Sequence, residues 1–185
     1  MTALAPPRTS PQPRFLRIAK FARWLVAAGA ALFTLNALGT WIFPSYASTV
    51  IQTQVNVKML VPLAGAARLA YVLWDIPSLA VILVALFRLW QLFGEYLHSR
   101  IFSARALTSL RGFARWTLVG GFWSPLYRAV LSVIATWQNG PGKRELTIDL
   151  TSDDYMVLLL GVVLLAIASV MVEAARIAED NEGFV

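Results

Sequence analysis

Four long apolar runs separated by more polar stretches dominate the chain: about Trp24–Phe43, Ile76–Tyr96, Trp116–Trp137 and Tyr155–Val172. Each has a length in the range of roughly 17–25 residues that a helix needs to cross a bilayer. The pattern predicts an all-α membrane protein with four transmembrane helices. Between the first and second runs the period changes. In Ile51–Lys58, Ile51, Val55 and Val57 alternate with polar neighbours, which predicts a short strand with one wet face. Met59–Val72 contains Pro62, Gly65 and Arg68 and reads as a short helix lying on the membrane surface. Asp75-Ile76-Pro77-Ser78 then reads as a helix start, with Asp75 as cap and Pro77 in the first turn.

Ser103 is the expected N-cap of the next helix, on which Leu107, Leu110 and Ala114 share one face and Arg111 and Arg115 another. Gly120, Gly121 and Pro125 are expected to weaken or kink the third span. Asn139-Gly140-Pro141-Gly142 is a turn signal, and Leu146–Leu150 alternates as a second short strand. The two strands are expected to pair as a small two-stranded extracytoplasmic β element, since a lone strand is not stable.

Charge sets the expected orientation. The hinge between spans two and three carries Arg88, Arg100, Arg105, Arg111 and Arg115 against Glu95, and Arg8, Arg14, Arg17, Lys20 and Arg23 precede span one. The alternate loops hold only Lys58 and Arg68, then Lys143 and Arg144. The positive-inside rule therefore places both termini and the hinge in the cytoplasm. Residues 1–14 read as a disordered, proline-rich cytoplasmic tail, and residues 15–185 as the transmembrane domain. Ser45-Tyr46-Ala47 has the small-x-small form of a signal-peptidase site. The apolar run before it exceeds the roughly 7–15 residues of a signal core, so an uncleaved helix is expected.

Composition narrows the function classes. Hydrophobic residues make up 58% of the 185 and charged residues 14%, too few to coat a soluble surface of this size. The net charge of +6 belongs to membrane flanks, so contact with the lipid bilayer is expected and direct nucleic-acid binding is not. With no cysteine and one histidine, His98, the chain has neither a thiolate nucleophile nor a multi-histidine metal site. No catalytic residues, cofactor or metal are assigned, and a non-enzyme is expected.

Charged residues near the spans need partners or water. Asp75 and Arg128 lie at matching depth and are one candidate ion pair; the alternative is Asp75 as cap and Arg128 reaching outward. Arg88, about 18 Å from the outer end of its span at 1.5 Å per residue, with Glu173 or Glu95 is the other. The basic hinge residues Arg100, Arg105, Arg111 and Arg115 and the acidic tail residues Glu179, Asp180 and Glu182 are both expected on the cytoplasmic side. These two groups either attract each other, form a platform for a soluble partner, or serve only as topology signals.

A resemblance rests on an ordered set of motifs. Arg100-Ile101-Phe102-Ser103 followed by Leu107-x-x-Leu110-Arg111, then Leu146–Leu150, then the tail Glu173–Val185, resemble a bacterial membrane family filed as domain of unknown function 2975. The likeness covers about residues 20–185; where many members place a glycine before the Phe-Ser/Thr pair, this chain has Ser99-Arg100-Ile101. The family has no established activity. Members are often encoded beside a small helix-turn-helix regulator, so the resemblance implies an inner-membrane anchor or sensor modulating such a cytoplasmic DNA-binding partner. The alternative is a transport or channel accessory, or a small-ligand-binding membrane protein with a cavity near Arg128. A homo-oligomer enters either reading, because four spans enclose little space.

Overall fold

The computed structural model describes residues 13–98, 103–140 and 142–182, with side chains over 16–98, 103–140 and 142–177. Within them the chain folds into five helices: α1 (Pro13–Ile42), α2 (Pro44–Val55), α3 (Gly65–Leu97), α4 (Ala104–Thr136) and α5 (Ser152–Glu182). A single 3-10 turn, Trp137–Asn139, extends α4. Four helices are long and apolar enough to span a membrane: Leu16–Ile42, Gly65–Leu97, Ala104–Asn139 and Ser152–Ile177. The protein is thus a multi-pass membrane protein. Residues 1–12 of the expected tail lie outside the described residues, as do Arg100 and the side chains of Glu179, Asp180 and Glu182.

Packing follows the chain. α1 packs on α3, α3 on α4 and α4 on α5, while α2 lies across α1 and α4 at one end. Neighbours run antiparallel: Arg23 meets Trp90 near one end of the α1–α3 pair, and Trp41 meets Asp75 near the other. Large side chains such as Leu32, Leu73, Phe122 and Val162 stay exposed along the spans. That inverts the pattern of a soluble protein and suits lipid as the surrounding solvent.

The tightest core therefore sits at one end, beneath α2. Ile51, fully buried, packs with Ala47, Val55, Val57, Leu63, Tyr71 and Leu131. This end is called the cap end here. A smaller core of Leu92, Ala106, Leu110 and Ala168 closes the opposite, hinge end.

The two expected strands do not form. Residues 51–55 continue α2, with Ala47, Ile51 and Val55 buried at a spacing of four. Ile51 and Val55 fit a helical face as well as a strand, and polar Thr53 stands where a period of two needs an apolar residue. Pro44 opens the helix, and Asn56 closes it in the left-handed region at φ 48°, donating its N–H to Gln52 O. Residues 143–150 form neither helix nor strand. Their backbone is held by α4 hydroxyls instead: Glu145 N donates to Thr136 Oγ1 (3.0 Å) and Thr147 N to Ser132 Oγ (3.0 Å). The segment before α3 is held by amide side chains. Asn139 accepts from Leu60 N and donates to Lys58 O, both at 2.9 Å, and Gln138 does the same with the N–H and carbonyl of Ala64. With backbone groups satisfied this way, neither segment needs a partner strand.

Met59–Val72 is a loop as far as Ala64, and Gly65–Val72 forms the first two turns of α3. The second span thus starts ten residues before Asp75, which is no cap, and Pro77 is interior. Arg68 caps its neighbour, donating to the carbonyls of Trp41 (2.7 Å) and Ile42 (2.9 Å) at the end of α1. The expected N-cap at Ser103 is present, its Oγ accepting from Ala106 N at 3.1 Å. Leu107, Leu110 and Ala114 form a buried face.

Gly121 and Gly161 let α4 and α5 approach closely. Leu158 of α5 fills the space over Gly121, and Leu118 of α4 the space over Gly161. A Cβ at Gly161 would stand 2.7 Å from Leu118 Cδ2 and 3.2 Å from its backbone nitrogen. Such small-residue contacts are a main source of helix attraction in lipid. Gly161→Ala should therefore lower the thermal unfolding temperature in detergent, at the roughly 1–3 kcal/mol cost of overpacking. Gly29→Ala, where a Cβ meets nothing within 4 Å, should not lower it.

Candidate binding cleft

All five helices line a cleft of about 520 Å³ near the cap end, α2 through Val50 and Gln54. α3 supplies Tyr71, Asp75, Ser78 and Ile82, spaced four, three and four residues apart and so aligned on one side. α4 supplies Gly120, Trp123, Ser124, Tyr127 and Arg128, and α1 supplies Phe33, Asn36, Ala37 and Thr40. Thr151, Asp153 and Asp154 at the start of α5 close the remaining side.

Asp75 is the acid of α3 that faces this space. Its Oδ2 accepts from Trp41 Nε1 at 2.8 Å and its Oδ1 from the Tyr127 hydroxyl at 2.9 Å. Both donors are neutral, and no cation pairs with Asp75 among the described residues. A carboxylate has about four acceptor sites, so two remain after these bonds. Around it, Trp123 Nε1 donates to Ser78 Oγ (2.7 Å) and Trp74 Nε1 to the Tyr127 carbonyl (3.3 Å). The Trp74 and Trp123 rings lie 5.2 Å apart, tilted by 31°. The indoles thus fix the register of α3 against α4, and Trp123 joins Phe33, Tyr71 and Tyr127 as the aromatic wall of the cleft.

The expected Asp75–Arg128 pair is not what forms. Arg128 binds Asp154 through both terminal nitrogens, Nη1 to Oδ1 at 3.2 Å and Nη2 to Oδ2. It also donates to Ser124 Oγ (2.7 Å) and Asp149 O (3.0 Å). Asp154 in turn accepts from Thr151 N (2.8 Å) and Thr151 Oγ1 (2.9 Å), while its own N–H reaches Thr151 Oγ1 at 3.3 Å. This is a reciprocal cap at the start of α5, and it holds Asp154 where Arg128 finds it. Depth alone could not separate two acids at one level. Thr151-x-x-Asp154 was the sequence signal, since a capping box fixes its acid in the first turn.

At the hinge end, Arg88 pairs with neither Glu95 nor Glu173 among the described residues. Its stem lies against Gly112, and Nη1 reaches Gln91 Oε1 at 3.4 Å. Glu95 instead accepts from Ser103 Oγ (3.4 Å) and stands 3.8 Å from Arg105, while Glu173 binds Arg176 on the next turn. The Arg105 side chain is 80% exposed, so its pair with Glu95 contributes little. Arg111 and Arg115 occupy a different side of α4 from Arg105, as their spacing dictates. Tyr127, Trp123 and Ser78, which line the cleft, and Trp41, which holds Asp75, carry no distinguishing sequence signal; aromatic residues at span ends read equally well as interfacial anchors. Among the described residues no three His, Cys, Asp or Glu side chains gather as a metal would require.

The Arg128–Asp154 pair, with its acid buried and its base half-buried, should behave as a unit. Arg128→Met alone strands Asp154, whose side chain is 4% exposed, and should cost about 3–5 kcal/mol, the usual penalty for breaking a buried pair. The double variant Arg128→Met, Asp154→Leu should recover much of this in thermal unfolding in detergent. Adding Asp75→Asn to Arg128→Met should recover nothing.

No curated protein and no solved structure matches the chain. One family model does, over residues 53–183, described as protein of unknown function (DUF2975). That match covers the 3-10 turn, α3 to α5 and the end of α2, and so most of the cleft wall. The chain belongs to the DUF2975 family.

Proposed function

We propose that this protein is a non-enzymatic, small-ligand-binding sensor of the bacterial inner membrane, with both termini in the cytoplasm. The observation that carries the reading is the cleft itself. A space of about 520 Å³, the size of a small-molecule site, is walled by aromatic side chains and holds a carboxylate with spare acceptor capacity. Such a site suits a molecule with an apolar body and a hydrogen-bond-donating or cationic end. The donor end would meet Asp75 and the body Trp123, Tyr71 and the apolar face of α1.

Orientation follows from charge. The described residues at the hinge end include Arg17, Lys20, Arg23, Arg105, Arg111 and Arg115, and those at the cap end Lys58, Arg68, Lys143 and Arg144. The positive-inside rule then turns the cleft outward and the hinge inward. In this reading occupancy of the cleft biases the packing of α3 on α4, and those two helices carry the bias to the hinge. There the exposed Arg105 and Arg115 offer charge to a soluble regulator. The transport alternative is less well supported, because the cleft shares no lining residue with a second cavity at the hinge end, walled by residues such as Arg23, Arg88 and Glu95.

The chain has no native cysteine, so single introduced cysteines report topology cleanly. Lys143→Cys should react with a membrane-impermeant maleimide in intact cells, and Arg105→Cys only after permeabilisation; the opposite pattern reverses the orientation. The ligand reading is tested by mass spectrometry of small molecules released from the purified protein. A species carried by the wild type should be lost in Asp75→Asn and kept in Arg144→Gln. A wild type that carries nothing beyond bulk lipid and detergent, or an Asp75→Asn variant that carries it equally, defeats the reading.

A further inference from the structure

The hinge end has the opposite imbalance from the cleft. A second cavity, of about 680 Å³, lies where α1, α3 and the start of α4 meet. Three guanidinium groups line it, those of Arg23, Arg88 and Arg105, against one carboxylate, Glu95. Glu95 lies 3.4 Å from Ser103 Oγ and 3.8 Å from Arg105, so one carboxylate is shared among three guanidinium-bearing residues. Arg23 lies over the Trp90 ring, 4.1 Å from its centroid, and beside Gly94, where the missing side chain leaves the cavity open.

Arg88 is the informative group. Gly112 allows its stem to cross onto α4, where an added Cβ would stand 3.1 Å from Arg88 Cδ. Held there, Nη1 makes only a long contact to Gln91, and the buried Nε has no acceptor among the described residues. Two guanidinium groups carry about ten N–H donors in rigid forks. Buried donors without acceptors are rare and costly, and each calls for a partner.

We propose that this cavity binds a phosphate-bearing anion, held between the guanidinium forks of Arg23 and Arg88. A carboxylate has two oxygens and matches one such fork, whereas a phosphate has enough oxygens to accept from both at once. The same chemistry is offered by an anionic phospholipid headgroup at the membrane surface and by a free phosphate in solution. The site is separate from the cleft and does not depend on the ligand-binding reading of it.

The test uses the full-length protein in two arms. In the first, protein in nanodiscs of phosphatidylcholine mixed with phosphatidylglycerol is released into native mass spectrometry and the retained lipids are counted. The wild type should retain phosphatidylglycerol preferentially. Arg23→Gln and Arg88→Gln should each reduce that preference by about fivefold, the size of one cation's contribution at a lipid surface. Arg144→Gln, a guanidinium over Trp137 at the other end, should leave it unchanged.

In the second arm, inorganic phosphate is titrated into detergent-solubilised protein and thermal unfolding is followed. Saturable stabilisation of the wild type but not of Arg88→Gln, without a lipid preference in the first arm, assigns the same site to soluble phosphate. Arg23→Lys, which keeps the charge and loses the fork, should fall between wild type and Arg23→Gln and covers the case in which Arg88→Gln does not fold. If neither anion distinguishes the wild type from the Arg23 and Arg88 variants, the proposal is wrong.

Discussion

A chain immersed in hydrocarbon must satisfy its backbone within its own segments, because lipid offers no hydrogen bonds. That constraint turns all four long apolar segments into helices, and it moves the specificity of the structure into the few polar side chains near their ends. It also explains the shape of the core. Along the spans the exposed surface is apolar and needs no covering, so burial concentrates at the ends: under α2 at one, and around Leu92, Leu110 and Ala168 at the other. α4 is the common neighbour of α2, α3 and α5. Its glycines decide how closely the others approach, Gly112 by admitting the Arg88 stem and Gly121 by admitting Leu158.

The two ends solve their polar problem differently, and the difference gives the molecule a direction. At the cap end both terminal nitrogens of Arg128 are matched, by a bidentate acid, a hydroxyl and a carbonyl, and only its buried Nε lacks an acceptor among the described residues. That match leaves Asp75 without a cation, held by an indole and a phenol. The cap end therefore presents a spare acceptor in an aromatic cleft. At the hinge end donors outnumber acceptors around Arg23 and Arg88. One end has acceptor capacity to spare and the other donor capacity, and the antiparallel α3–α4 pair connects them.

Much of this was legible from residue order. Ser103 was readable as a cap because a hydroxyl just before an apolar-periodic segment satisfies orphan N–H groups. Asn139-Gly140-Pro141-Gly142 was readable as a turn, and both of its glycines have positive φ. The strands were misread because short segments carry ambiguous periods. Ile51 and Val55 suit a strand or a helix, and what resolved them was Pro44, seven residues upstream, and a buried face shared with Leu131 of α4. Leu146–Leu150 alternates as a strand does, yet its backbone partners are the side chains of Thr136 and Ser132. No local pattern announces that a hydroxyl on a neighbouring helix will take the place of a strand.

The sequence by itself determined the class of the protein, its four membrane-spanning helices and the uneven sharing of charge between the two ends, because length, hydropathy and charge are properties of single segments. Only the tertiary structure decided which acid Arg128 takes, which donors hold Asp75, and that Arg23 and Arg88 meet at one cavity. Those outcomes depend on how helices turn about their axes and how closely they approach. In lipid these are set by contacts such as Leu118 on Gly161 and Trp123 on Ser78, made between residues far apart in the chain.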